Sequence, residues 1–153
     1  MTRLLPLLLL VTVTFFAACK EKKHERTIDK EKGITNLEKD DPEFLRLKDT
    51  AQKYLPEFIT SLKEHAADTN YLYMIKSDYT QESVHEHMWS APFRAGNSRF
   101  SALFSDSAYD ITNVRPGDTV EVKFTDVEDW FIIDKVNGTR RGYFSQKYLT
   151  GEE

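Results

Sequence analysis

From Asp41 onward the apolar positions first recur at helical steps and then, beyond Asp68, at alternate residues. Asp41-Pro42-Glu43-Phe44 combines a capping carboxylate, a proline suited to the first turn and an acid beside it, which marks the start of a helix. Phe44, Leu47, Ala51, Leu55, Phe58 and Leu62 then follow at spacings of three and four, one stripe along an amphipathic helix. Pro56 falls inside the stripe. Its ring crowds the carbonyl of Gln52 and it lacks an N–H, so a kink, or two helices abutting at Leu55-Pro56, is expected. A stripe of this kind serves most often to cover a sheet.

The segments YLYMIKS, VHEHMWS, RFSALFS and TVEVKF alternate with period two, and WFIIDKV is a continuous apolar run followed by TRRGYF. Asn137-Gly138 between the last two predicts a hairpin with a type I′ turn, and Pro116-Gly117-Asp118 a turn entering a strand. The pattern specifies an α+β domain over residues 42–153: a kinked N-terminal amphipathic helix packed on a curled antiparallel sheet of about six strands.

The chain ahead of this domain has a different texture. Residues 1–18 begin with a single cation, Arg3, and continue with thirteen residues, Leu4 to Phe16, that are apolar apart from threonines. That run is short of the roughly 20 residues a membrane-spanning helix needs, and it has the layout of a secretory signal. Phe16-Ala17-Ala18-Cys19 resembles the lipobox of bacterial lipoproteins, with Phe where leucine is usual. The resemblance implies cleavage before Cys19, lipidation of its thiol and a membrane partner reached through the acyl chains. A plain secreted protein is the alternative. Lys20 after the cysteine points, by the same resemblance, to the outer membrane of a two-membrane envelope. Residues 19–41 are dense in charges of both signs and poor in large apolar side chains, the composition of a flexible tether.

Composition narrows the function classes. A length of 153 residues with 40% hydrophobic and 12% aromatic content supports one folded domain with a real core. The formal charge of -4 and the dispersed basic residues disfavour a nucleic-acid partner. A single cysteine excludes an internal disulfide and any CxxC site. No glycine-rich phosphate loop or GxSxG elbow is present, and no cofactor is expected.

Glu86-His87-Met88-Trp89, Gly117-Asp118 with Val120 and Val122, Asp129-Trp130 and Gly142-Tyr143 resemble the YegJ-like bacterial family, a domain of unknown function numbered 2314. The likeness runs from about Phe58 to Leu149 and carries no activity to transfer. This chain departs from the pattern in three places. Arg141-Gly142-Tyr143-Phe144 stands where the family usually has Gly-Gly-Tyr-Thr, Phe131 where it has Met, and Asp106-Ser107-Ala108 where it has Asn-x-Pro. The last third is also similar, more loosely, to SH3-type barrels, in which Tyr109, Trp130, Tyr143 and Tyr148 would line a peptide groove.

Two of the four histidines sit one residue apart in VHEHMW. On an extended strand His85, His87 and Trp89 share a face, and Glu82 or Asp78 could complete a metal site with the two imidazoles. The chain offers no HExxH and no second histidine pair, so the reading preferred here is a structural strand without a metal. Asp129 reads as a turn-capping acid, with membership of a catalytic carboxylate pair the rival. The expectation is a lipid-anchored envelope protein, more readily a non-catalytic module than an enzyme, that binds a protein, peptide or cell-wall ligand. His87, Trp89, Trp130 and Tyr143 are the candidate ligand-binding residues. A metal-dependent hydrolase using His85 and His87 with a nearby carboxylate is the alternative.

Overall fold

A computed structural model describes residues 26–29, 34–38 and 40–151. The leader and Cys19 lie outside the described residues. In chain order the elements are β1 (Thr27–Asp29), β2 (Ile34–Asn36), α1 (Pro42–His65), β3 (Tyr71–Gln81), β4 (Val84–Ala95), β5 (Arg99–Phe104), β6 (Thr119–Lys123), a 3-10 turn (Phe124–Asp126), β7 (Val127–Asp134), β8 (Thr139–Gly142) and α2 (Gln146–Thr150). β3 to β8 form one open antiparallel sheet in the order β6-β5-β4-β3-β7-β8. The mixed architecture and the six strands agree with the sequence periodicities.

α1 begins as its cap residues dictate. The Asp41 carboxylate accepts the Phe44 backbone N–H at 2.8 Å and the Tyr148 hydroxyl at 2.7 Å, which ties the helix start to α2. Burial, with the hydrogen bond to Asp41 second, pushes the Tyr148 hydroxyl pKa up to about 12. The helix runs unbroken through Pro56, so two abutting helices are excluded. Pro56 is exposed, and a missing rung costs little on the wet side of a helix because water serves the released carbonyl.

The buried stripe of α1 meets the inward residues of the sheet. Phe58, at its centre, contacts Tyr73, Phe100 and Trp130 at ring-centroid distances of 5.6, 5.6 and 5.3 Å. Ile75, Ala102, Val122, Val127 and Ile132 complete this core. In a second cluster, Ile111 and Val114 of the 105–118 loop pack with Met88 and Phe104 of the sheet. That loop is fastened rather than merely draped. Glu86 accepts the backbone N–H groups of Tyr109, Asp110 and Ile111 at 2.8, 2.5 and 2.8 Å, and Gln81 accepts those of Thr112 and Asn113 at 2.7 and 3.2 Å.

Two local expectations need correcting or extending. Asp134 pairs with Thr139, so the β7–β8 hairpin has a four-residue loop, and only Gly138 of the Asn-Gly pair has positive φ, at 64°. The Asp134 carboxylate explains why: it accepts the N–H groups of Val136 and Asn137 and the Asn137 side-chain amide, which holds a turn that needs no second left-handed residue. Within the charged segment read as a tether, β1 and β2 pair with each other, and Thr35 Oγ1 donates to the Leu149 carbonyl at 2.6 Å. The Arg26 guanidinium lies 4.5 Å above the Tyr148 ring and donates to the Tyr148 carbonyl. Part of that segment is therefore seated on α2. Among the described residues no helix is long and apolar enough to cross a membrane.

Candidate functional site

Pleating sends alternate residues of the sheet to opposite sides. Ile75 and Trp130 face α1, so their neighbours Lys76 and Phe131 point to the other side, and Trp89, paired with Lys76, joins them there. On this outer face Trp89 and Phe131 meet edge-on at 5.1 Å, Trp89 and Tyr143 are tilted to one another at 5.8 Å, and Phe131 stacks on Tyr143 at 4.1 Å. The Lys76 ammonium sits 5.2 Å from the Trp89 ring centre, and the Arg140 guanidinium lies 4.7 Å from that of Tyr143. Leu72 and Leu103 are exposed on the same face.

The backbone around Tyr143 makes this cluster. Gly142 has φ +86° and Tyr143 φ +63°, so the chain turns sharply off β8. A Cβ at position 142 would stand 2.1 Å from the Trp130 carbonyl oxygen, so only glycine fits. Asp129 stabilises the turn from beneath. Fully buried, its carboxylate accepts the N–H groups of Trp130, Phe144 and Ser145 at 2.7, 3.1 and 2.9 Å and the Ser145 hydroxyl at 2.6 Å.

A bulge supplies the next part. Lys76 pairs with Asp129 and Ser77 with Val127, which leaves Glu128 as the extra residue. A bulge re-aims a side chain, and here it directs Glu128 to His87 and Lys48. His87 Nδ1 donates to Glu128 Oε2 at 2.5 Å and Lys48 Nζ to Oε1 at 3.2 Å, while the Phe44 ring meets the imidazole edge-on at 5.5 Å. Burial alone would raise the Glu128 pKa, but His87 and Lys48 together outweigh it and hold the carboxyl below its usual range. Burial pushes the Lys76 ammonium pKa down, opposed in part by the charges of Asp129, Asp106 and Glu128.

The candidate residues from the sequence divide accordingly. Trp89 and Tyr143 come together on the outer face, whereas His87, two residues along β4, turns its ring to Glu128 and to Phe44 of α1. Trp130 does not join them: it is 2% exposed on the α1 side and donates its indole N–H to the Ala51 carbonyl at 2.9 Å. Of the other groove candidates, Tyr109 lies on the 105–118 loop and Tyr148 on α2. His85 pairs with Asp78 at 2.7 Å, whereas His87 pairs with Glu128, and Glu82 occupies the β3–β4 turn with φ +55°. Among the described residues no three His, Cys, Asp or Glu side chains are placed to share a metal ion. Two open clefts, of about 450 and 470 Å³, lie apart from the aromatic cluster, one between α1 and Arg141 and one between Tyr79 and Thr119–Glu121.

Sequence reasoning missed Lys76, Phe131 and Glu128. A lysine in mid-strand, set among apolar neighbours, was the signal available for the first. Phe131 stands where the related pattern has methionine, and this aromatic ring is the one that stacks on Tyr143.

No curated protein and no solved structure shows a significant match to the chain. A bacterial family described as uncharacterised conserved proteins, DUF2314, matches residues 41–151, which span α1, the whole sheet and α2. The motif residues Glu86, His87, Trp89, Asp129 and Gly142 fasten the loop, hold the buried carboxylate and build the aromatic turn within that span, and the chain belongs to this family.

Proposed function

We propose that the protein is a lipid-anchored envelope module, held to the membrane by acylated Cys19, that binds a ligand non-catalytically on the outer face of its sheet. The observation that carries the binding reading is the joining of Trp89, Phe131 and Tyr143 into one aromatic cluster beside the exposed Leu72 and Leu103, on the face opposite α1. Phe131 is buried and Trp89 and Tyr143 are half-buried, so the apolar surface offered is that of these two rings with Leu72 and Leu103, and such a patch marks an interaction site more often than chance. His87 lies two residues from Trp89 along β4, and its second ring nitrogen is not the one that meets Glu128. A curled, SH3-like course for the last strands is part of this reading, with the ligand lying across the strands. The anchor reading rests on Phe16-Ala17-Ala18-Cys19 and on the short apolar run before it.

Two measurements test the reading. Mass spectrometry of the mature N-terminus from membrane fractions should find Cys19 diacylated. A photo-crosslinking residue at Leu72 or Leu103 in the full chain should capture an envelope component in living cells, while one at exposed Tyr54 on α1 should not. A free Cys19 thiol in a soluble fraction overturns the anchor, and equal capture from both faces overturns the site.

A further inference from the structure

The two short strands β1 and β2 lie ahead of the span that the family matches, yet they are fastened to its last element. α2 has five residues, so the carbonyls of its last turn find no partner within the helix. The paired strands supply donors to two of them. Thr35 Oγ1 donates to the Leu149 carbonyl at 2.6 Å, and the Arg26 guanidinium donates to that of Tyr148 while lying 4.5 Å above its ring. Ile28 closes on the end of the same helix: a Cβ at Gly151 would stand 2.9 Å from the isoleucine Cδ1. Tyr148 in turn donates to the Asp41 carboxylate that caps α1, so the docked strands are joined through α2 to the start of the main helix.

This docking changes how far the tether reaches. Seven residues, Lys20 to Arg26, lead from Cys19 to the docked pair, whereas 22 residues, Lys20 to Asp41, lead from Cys19 to the start of α1. At an upper limit of about 3.3–3.6 Å per residue, the shorter path spans about 25 Å and the longer about 75 Å. The attachment is also small. Three residue pairs join the strands and two side-chain donors bind them to α2. A two-stranded pair of this size is marginal by itself, so it opens well below the free energy of global unfolding.

We infer that β1 and β2 are a latch on the membrane tether: docked on α2 they hold the domain within about 25 Å of the anchoring lipid, and released they extend its reach to about 75 Å. The device needs no change inside residues 41–151, because opening exchanges contacts with α2 alone. The inference rests on the reading of Cys19 as acylated and adds to it a control of reach.

The test uses the full acylated chain in vesicles that carry headgroup-labelled acceptor lipid, with a donor dye on Asp49→Cys, an exposed site on α1. Cys19 is the single native cysteine, and its thioether leaves the introduced thiol as the one that reacts. Arg26→Ala combined with Thr35→Val removes both donors to α2. Energy transfer should be lower in this variant than in the parent. Amide exchange over Thr27–Asp29 and Ile34–Asn36 should be about tenfold faster or more, as the loss of two hydrogen bonds implies, while β3 and β7 keep their protection. Equal transfer in parent and variant overturns the control of reach. Unprotected β1 and β2 amides in the parent overturn the docking, and exchange there only at the rate of β3 and β7 overturns the release. A free Cys19 thiol overturns the anchor and the reach with it, and exchange in the same sample then reports the docking separately.

Discussion

His87 and Glu128 are 41 residues apart in the chain and joined by a 2.5 Å hydrogen bond, with the carboxylate buried and the imidazole part-exposed. The pair exists because the bulge in β7 turns Glu128 out of the regular alternation. Glu128 sits between an imidazole and the Lys48 ammonium, so its ionised form is favoured in the folded state. Replacing it by alanine leaves both partners without their acceptor and should cost on the order of 2 kcal/mol. For a depressed carboxyl the stabilisation is complete above the ordinary glutamate pKa of 4.5 and fades as pH falls through the lower folded value. Urea unfolding of wild type and Glu128→Ala should therefore differ most at neutral pH and converge on acidification. A difference that stays constant down to pH 3 would show that the carboxylate charge contributes nothing.

Asp129 answers a different need. Four donors converge on it, three of them backbone N–H groups. Asn is nearly isosteric, but its amide replaces one accepting oxygen with a donor facing donors. Asp129→Asn should cost about 2–4 kcal/mol, close to the effect of Asp129→Ala. Denaturant melts decide it, and an Asn variant as stable as wild type refutes the network's role. The capping reading of Asp129 thus has a concrete basis, at a turn the sequence did not locate.

What was legible followed from local chemistry. The start of α1 lies within four consecutive residues, and the strands announce themselves by alternation, so both emerged from short windows. Trp130 did not, because it sits in a run apolar at every position, and β7, between β3 and β8, is buried at every residue from Val127 to Ile132. Alternation then offers no clue to which of Trp130 and Phe131 faces α1. The Glu128 bulge and the Asp129 turn are tertiary events: each depends on partners 15 to 80 residues distant, beyond any window. The Asn-Gly turn failed for the opposite reason, since a nearer side chain, Asp134, supplied a competing solution.

Gly142 and Gly138 make a controlled comparison. Both have positive φ, +86° and +64°, but a Cβ at Gly138 meets nothing while one at Gly142 runs into the Trp130 carbonyl. Gly138→Ala should cost about 1 kcal/mol from backbone conformation alone. Gly142→Ala adds a clash that backbone movement must relieve, and a loss above ~3 kcal/mol is expected. The two melting curves provide the check, and equal losses would contradict the close approach. Because Tyr143 is positioned by this turn, the alanine at 142 should also disturb the outer-face cluster, visible as a change in near-ultraviolet circular dichroism.

Glu86 governs the loop on the other side of the sheet. Burial raises its pKa, but the backbone N–H groups of Tyr109, Asp110 and Ile111 together do more, and its carboxyl lies below the ordinary range. The three amides that bind it should be protected from hydrogen exchange near neutral pH. As pH falls through the depressed folded pKa, protonation removes acceptor strength and the contribution of the clamp is lost. Glu86→Gln retains one carbonyl acceptor, so it should keep part of the protection, whereas Glu86→Ala should keep almost none. Met88 and Phe104 hold the loop by apolar contact with its Ile111 and Val114, so its release should be local and leave α1 and β7 protected. Exchange at Tyr109, Asp110 and Ile111 that is unchanged in Glu86→Ala would mean that the apolar contacts alone hold the loop.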